Sequence, residues 1–193
     1  MTIPLDPLFA RTTSDMVDRA LAFAKLSHRG QVRKYHTPPV PYVEHPIRVA
    51  AEVAIWSWAT KDDIVIALLH DVLEDTYVNR MDIHTQFGES VLTGVEWMTS
   101  PSKALSHMTR EQRKALDRTY YSLAPQNVRR IKLLDRIDNL RDSECAPPAW
   151  RRMYAKESLD LLLALIAVNT DKVIELELAD VIGEVQSQCG EQE

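Results

Sequence analysis

The stretch ALLHDVLEDT, residues 67–76, ends an apolar run with a histidine and three carboxylates: His70, Asp71, Glu74 and Asp75. A helix turns about 100° per residue, so 70 lies near 74 and 71 near 75. All four side chains then fall within a sector of roughly 140°. Three like charges on one sector repel, and burying them without partners is costly or forces protonation. A bound divalent cation would supply the missing positive charge. The alternative is an acidic helix end left in water, the usual fate of a charge run. Against it stands the helix dipole, which disfavours carboxylates at a C-terminus.

Two further segments carry residues of the same kind. His45 stands at the start of a helix in YVEHPIRVA. IKLLDRIDNLRD, residues 131–142, is amphipathic, with Leu133, Ile137 and Leu140 as its apolar stripe. Its other side carries Lys132, Asp135 and Asn139 at spacings of three and four, hence in one line, with Asp138 beside it. His45, the His70–Asp71 pair and Asp135 together make a His/His/Asp/Asp set drawn from three helices.

The elements that must hold these residues are helical almost throughout. Only five glycines occur in 193 residues, and no run alternates long enough to make a convincing strand. The expected fold class is all-α, with roughly eight to ten helices. Ser14 is read as the N-cap of a helix to about Ser27. Residues 33–46, RKYHTPPVPYVEHP, form a proline-rich loop, and Pro46 is read as the first residue of a helix through about Ser57. Asp62 is read as the cap of IVIALLHDVLED. A short helix over 80–87 ends at Gly88, followed by ESVLTGVEWMT, a loop over 99–107, and helices over 108–123, 126–143, 148–168 and 170–187. Pro125 and the pair Pro147–Pro148 mark joints. The whole chain, 1–193, is read as a single domain with its core over 14–187 and frayed termini, QCGEQE included.

Composition narrows the functional classes. A hydrophobic fraction of 45% suits a globular domain, and a net charge of −5 argues against broad nucleic-acid or membrane binding through a basic surface. Cys145 and Cys189 are too few for a disulfide scaffold and are read as free thiols. The N-terminus lacks a signal-peptide pattern, and LLLALIAV (161–168) is shorter than the about 20 residues a bilayer span needs. A cytoplasmic protein is expected. His36, His84 and His107 are read as surface residues, His28 as a structural one, and the four tryptophans as packing residues.

The HD doublet followed three residues on by the ED doublet resembles the HD-domain phosphohydrolases of the RelA/SpoT type. HRGQVRK (28–34), PYVEHP (41–46), FGESV (87–91) and IKLLDRIDNLRD occur in that family's order, over roughly residues 14–180. In build, the chain is similar to the small alarmone hydrolases. The resemblance implies a single HD-domain helical bundle that takes one divalent metal, typically Mn²⁺, on His45, His70, Asp71 and Asp135. Mixed imidazole and carboxylate ligands with open positions suit Mn²⁺ or Fe²⁺.

It also implies that Glu74 and Asp75 position and deprotonate the attacking water; the plainer role for Glu74 is to orient a ligand. Arg33 and Lys34 match the basic pair that faces the nucleotide, although two charges at a helix end are ordinarily solvated. Asn139 would reach the ribose or the metal's surroundings. Arg151 and Tyr154, in WRRMYAKES, and Lys103 would meet the substrate or its phosphates.

The implied reaction removes the 3′-diphosphate of (p)ppGpp or a related (p)ppNpp, giving pyrophosphate. Its partner is therefore a small phosphorylated nucleotide, with no nucleic acid or membrane involved. Two alternatives stay open: a phosphatase on another nucleotide or on a dinucleotide cofactor such as NADPH, and a non-catalytic nucleotide-binding or partner-neutralising module. The chain departs from the pattern in the longer Lys34–Pro41 loop and in Asp138, where a histidine is common.

Overall fold

The computed structural model describes residues 16–190. Among them the regular structure is helical, with one isolated antiparallel bridge between Val32 and Pro41. The described elements are α1 (Met16–Ser27), α2 (Glu44–Ala54), α3 (Lys61–Leu69), α4 (Val72–Asp75), α5 (Arg80–Phe87), α6 (Glu89–Met98), α7 (Arg110–Leu123), α8 (Gln126–Arg141), α9 (Pro148–Ile166) and α10 (Lys172–Gly190). Two short 3₁₀ turns, Pro101–Ala104 and Asp142–Cys145, flank α7 and α8. The all-α expectation holds. The Ser14 cap lies outside the described residues.

The contacts gather the described residues into two units, residues 16–33 with 37–99, and residues 34–36 with 100–190. In the first, α3 is the central element and packs on α1, α2 and α6. Val65 through Leu69 are all buried, as an all-round apolar helix requires. Gly94 lets α6 approach α3: a Cβ there would stand 2.2 Å from Ile66 Cδ1 and 2.7 Å from Cγ1. Phe23 meets Phe87 edge-on at 5.5 Å.

In the second unit, α8 is central and packs on α9 and α10, while α7 packs on α9. The expected stripe Leu133, Ile137 and Leu140 is buried. So are Leu134, Asp135, Arg136 and Asp138, so α8 buries its polar side as well.

Several boundaries differ from the sequence reading. Thr60, not Asp62, caps α3: its hydroxyl accepts from the Asp63 N–H while Asp63 Oδ2 accepts from the Thr60 N–H at 2.8 Å, a capping box. The continuous helix expected over IVIALLHDVLED is broken, with α3 ending at Leu69 and α4 starting at Val72. Pro46 is the third residue of α2, which ends at Ala54 rather than near Ser57. Helix α10 takes in the first three residues of the stretch expected to fray, to Gly190, where Cys189 is 1% exposed and anchors its end; residues 191–193 lie outside the described residues. His36 is half-buried and lies 3.2 Å from Asp142 Oδ2, so it is no simple surface residue.

Candidate metal and phosphate site

The break in the α3–α4 run is what positions the HD doublet. His70 caps the C-terminus of α3 at φ −58°, ψ −29°, and Asp71 precedes α4 at φ −101°, ψ −6°. Asp71 therefore precedes a one-turn helix whose last residues are Glu74 and Asp75, and none of the three lies in the last turn of α3. A single turn sums too few peptide dipoles to set up the conflict that the sequence suggested.

His70 is 1% exposed, and its Nδ1–H donates to the Ala67 carbonyl at 2.7 Å. A carbonyl can only accept, so the neutral ring carries its lone pair on Nε2. That Nε2 faces Asp71 Oδ2 at 3.0 Å. His45, also 1% exposed, places its Nε2 3.7 Å from the same oxygen, and the two imidazole rings meet edge-on with centroids 5.1 Å apart. Two imidazole nitrogens and a carboxylate oxygen thus converge within one unit. The Tyr42 hydroxyl donates to Asp71 Oδ2 at 2.6 Å, fixing the carboxylate from outside. A hydrogen bond to a charged acceptor contributes about 1.5–3 kcal/mol. An imidazole lone pair against a carboxylate oxygen is repulsive until a cation or proton lies between them, so the donor set fits a divalent metal.

Behind the doublet, Gln31 makes a brace. His28 Nδ1 lies 2.8 Å from Gln31 Oε1, and Gln31 Nε2 donates to the Asp75 carbonyl at 2.8 Å. Burial pushes the His28 imidazole down from its usual range, against the raising effect of Gln31 and of Asp71. This is the structural role expected of His28. Glu74 is half-buried and Asp75 exposed. The Arg33 guanidinium lies over the Tyr42 ring, 5.4 Å from its centroid.

In the second unit, Asp135 is 5% exposed and held at both oxygens. Lys132 Nζ reaches Oδ2 at 2.8 Å, and Asn139 Nδ2 donates to Oδ1 at 2.6 Å and to the Asp135 carbonyl at 3.0 Å. Burial would lower the Lys132 pKa, but the Asp135 charge outweighs it and holds the ammonium well above its ordinary range. Asp135 therefore stands as an oriented carboxylate anion, the state a metal ligand needs. Asn139 acts on Asp135 here.

The remaining expected substrate contacts are scattered over the second unit. Lys34 and Lys103 are exposed. Arg151 donates to Gln188 Oε1, a tie between α9 and α10. Tyr154 stacks on Trp150 with centroids 4.8 Å apart, and the Arg136 guanidinium lies over its ring, 4.6 Å from the centroid. Arg136, Arg113 and Lys114 were not singled out by the sequence reading. Their signal was present: Arg110, Arg113, Lys114 and Asp117 fall at i, i+3, i+4 and i+7, one face of α7.

The comparisons with known proteins agree with this chemistry. The model of the family described as HD domain matches residues 20–171. The chain belongs to the HD-domain family. Among curated proteins, this HD domain is 33% identical over 144 residues to the guanosine-3′,5′-bis(diphosphate) 3′-pyrophosphohydrolase MESH1 of Xenopus tropicalis, covering 74% of this chain and 78% of that protein. It is 30% identical to the MESH1 of Drosophila melanogaster, covering 83% of this chain and 89% of that one.

It is also 30% identical to the guanosine-3′,5′-bis(diphosphate) 3′-pyrophosphohydrolase of Spiroplasma citri, over 86% of this chain. The chain spans only about a quarter of such long relatives, 22% of the Spiroplasma protein and 25% of a Mycoplasma genitalium one. A solved structure, described as a metazoan ortholog of SpoT that hydrolyzes ppGpp, matches with a TM-score of 0.77 at 28% identity, covering 95% of this chain and 98% of that one. Among the described residues, no helix is long and apolar enough to cross a membrane.

Proposed function

We propose that this chain is a metal-dependent phosphohydrolase that removes the 3′-diphosphate of (p)ppGpp or a related (p)ppNpp. The products are pyrophosphate and a nucleoside 5′-di- or triphosphate. The observation that carries the reading is the pair His70–Asp71: a broken helix, a fixed imidazole tautomer and a carboxylate oxygen set 3.0 Å from Nε2. Likeness to MESH1 proteins over most of their length supports the substrate class. The family match runs through both units, which supports treating them as one HD domain.

His45, His70, Asp71 and Asp135 would hold one divalent ion, with Mn²⁺ the proposed metal. When bound, it draws charge from the phosphate oxygens and makes water acidic enough to act as nucleophile near neutral pH. The chain's own residues do the rest. Tyr42 holds the Asp71 carboxylate, and Lys132 and Asn139 hold that of Asp135, so the ligands need little reorganisation. Glu74, the half-buried member of the ED doublet, accepts the water's proton, with Asp75 alongside. Arg33 and Lys34 meet the nucleotide, Arg33 using a face already disposed to stack on aromatic rings. Lys103, Arg151 and Tyr154 are the remaining substrate contacts in this proposal. The site of action is the cytoplasm.

Product identity is the test. The protein is incubated with ppGpp and with ppApp, with Mn²⁺ or with chelator, and the products are separated by anion exchange. Manganese-dependent pyrophosphate is expected, and the faster substrate names the base. Orthophosphate from either nucleotide, or from NADPH, would assign the site to a different phosphohydrolase. Tight binding without turnover would make it a sensor.

A further inference from the structure

The loop between Arg33 and Pro41 is tied at its base by backbone bonds. The Arg33 N–H donates to the Val40 carbonyl at 2.8 Å, and the Tyr42 N–H donates to the Gln31 carbonyl at 2.9 Å. Lys34, Tyr35 and His36, in the loop itself, group with the second unit. The Tyr35 ring lies 5.7 Å, centroid to centroid, from that of Trp150 in the first turn of α9. The next side chain reaches the end of α8: His36 Nε2 donates at 3.2 Å to Oδ2 of Asp142, the residue that follows that helix. These two side chains are 18% and 13% exposed, so the bond is largely shielded from solvent screening.

Tyr35 makes its contact from a strained backbone. Its φ is +68°, and Asn169 is the one other non-glycine with positive φ among the described residues. Asparagine enters that region readily, whereas a bulky side chain there is an outlier. Glycine would occupy it free of strain. Strain of this kind persists only where the surroundings over-determine it, and it gathers at sites where function fixes the backbone. Here the ring contact with Trp150 and the His36–Asp142 bond over-determine it. Trp150 is itself seated, stacked on Tyr154 with the ring planes 13° apart. Pro38, Pro39 and Pro41 add fixed φ angles to the rest of the loop. Lys34, exposed and directly before the strained residue, is left with a backbone of little freedom.

We propose that Tyr35 and His36 are positioning residues, which seat the loop on Trp150 and Asp142 and so hold the Lys34 backbone in place for the nucleotide. The inference deepens the proposed function and rests on it for the ligand at Lys34. A lysine on a loose loop must order both its backbone and its side chain when it meets a phosphate, and that ordering subtracts from affinity. With the loop seated beforehand, only the side chain is left to order. Seating therefore raises affinity without acting on the chemical step.

Two measurements on the full chain test it. Trypsin cleavage after Lys34, located by mass spectrometry, reads the loop without any ligand. Asp142→Ala and Trp150→Leu leave the cleaved sequence intact, and each should speed that cut on the order of tenfold by freeing the loop to enter a protease. GDP is then titrated calorimetrically in the presence of Mn²⁺, so that no turnover intervenes. Tyr35→Ala and His36→Ala should each lose on the order of tenfold in affinity, and Tyr35→Phe, which keeps the ring, should match the wild type. In a Lys34→Ala background, Tyr35→Ala should lose nothing further, because the residue it positions is gone.

Wild-type cleavage rates in both Asp142→Ala and Trp150→Leu would overturn the seating of the loop. Faster cleavage with GDP affinity unchanged in Tyr35→Ala would overturn its role at the nucleotide. Additive losses in the Lys34→Ala background would overturn positioning and make Tyr35 a ligand contact in its own right. A wild type that binds no GDP would overturn the ligand of the proposed function, and this proposal with it, whatever trypsin shows. Should Trp150→Leu fail to fold, Asp142→Ala and the two Tyr35 variants decide.

Discussion

His70 Nε2 faces Asp71 Oδ2 at 3.0 Å, while its Nδ1–H is committed to the Ala67 carbonyl one turn back. The backbone thus decides which nitrogen of a core histidine is left to face the carboxylate. Asp71→Ala should abolish turnover and bound metal together while leaving the helical circular-dichroism signal intact. Full activity in that variant would remove the doublet from the mechanism.

Tyr42→Phe tests the outer support of Asp71. Removing a group that orients a metal ligand typically costs about 10–100-fold in affinity or activity. The variant should need correspondingly more Mn²⁺ for half-maximal rate, with the maximal rate less affected. An unchanged Mn²⁺ requirement would show that the 2.6 Å bond does not orient the ligand.

Glu74→Gln separates proton transfer from ligation. The variant should keep its metal and lose rate by about 10²–10⁴-fold, the usual contribution of a positioned acid–base group. Loss of metal instead would make Glu74 a ligand.

His28 gives the protein an acid limit. Burial holds its folded-state pKa below 6.5, so between that lower value and 6.5 the unfolded chain binds more protons than the folded one. The stabilisation is therefore fully present above the unfolded pKa and is lost as pH falls below it. Urea midpoints of the wild type should drop between about pH 7.5 and about pH 5 more than those of His28→Gln. Parallel midpoints would assign the acid sensitivity to other groups.

Gly94→Ala tests the close approach of α6 to α3. The added methyl group meets Ile66 at both Cδ1 and Cγ1, so destabilisation of about 1–3 kcal/mol is expected. Ile66→Ala should restore part of it in the double variant, since it vacates the same space. Additive losses in denaturant melts would contradict the steric account.

Much of this architecture was legible because few glycines interrupt the chain, prolines mark its joints and apolar spacing marks its helices. The helices ending at Ser27 and Phe87 fall where Gly30 and Gly88, both at positive φ, interrupt the pattern. The break between Leu69 and Val72 was not legible, because the apolar periodicity runs straight through it. Only the bond from His70 to Ala67 and the turn at Asp71 reveal it. The end of α10 was misjudged because a polar tail hides Cys189, which is buried.

His45, His70, Asp71 and Asp135 were readable as donors from residue type. What type could not show was the support: Tyr42 on Asp71, and Lys132 with Asn139 on Asp135. The inward charges of α7 escaped notice for a related reason. A helix whose buried face is charged has no apolar stripe to mark it.

The most direct measurement is the number of Mn²⁺ ions held per chain, counted by electron paramagnetic resonance of free Mn²⁺ during titration. One tight ion is predicted for the wild type, with its loss in Asp71→Ala and in Asp135→Ala and its retention in Glu74→Gln. A tight ion retained in both aspartate variants would contradict the account.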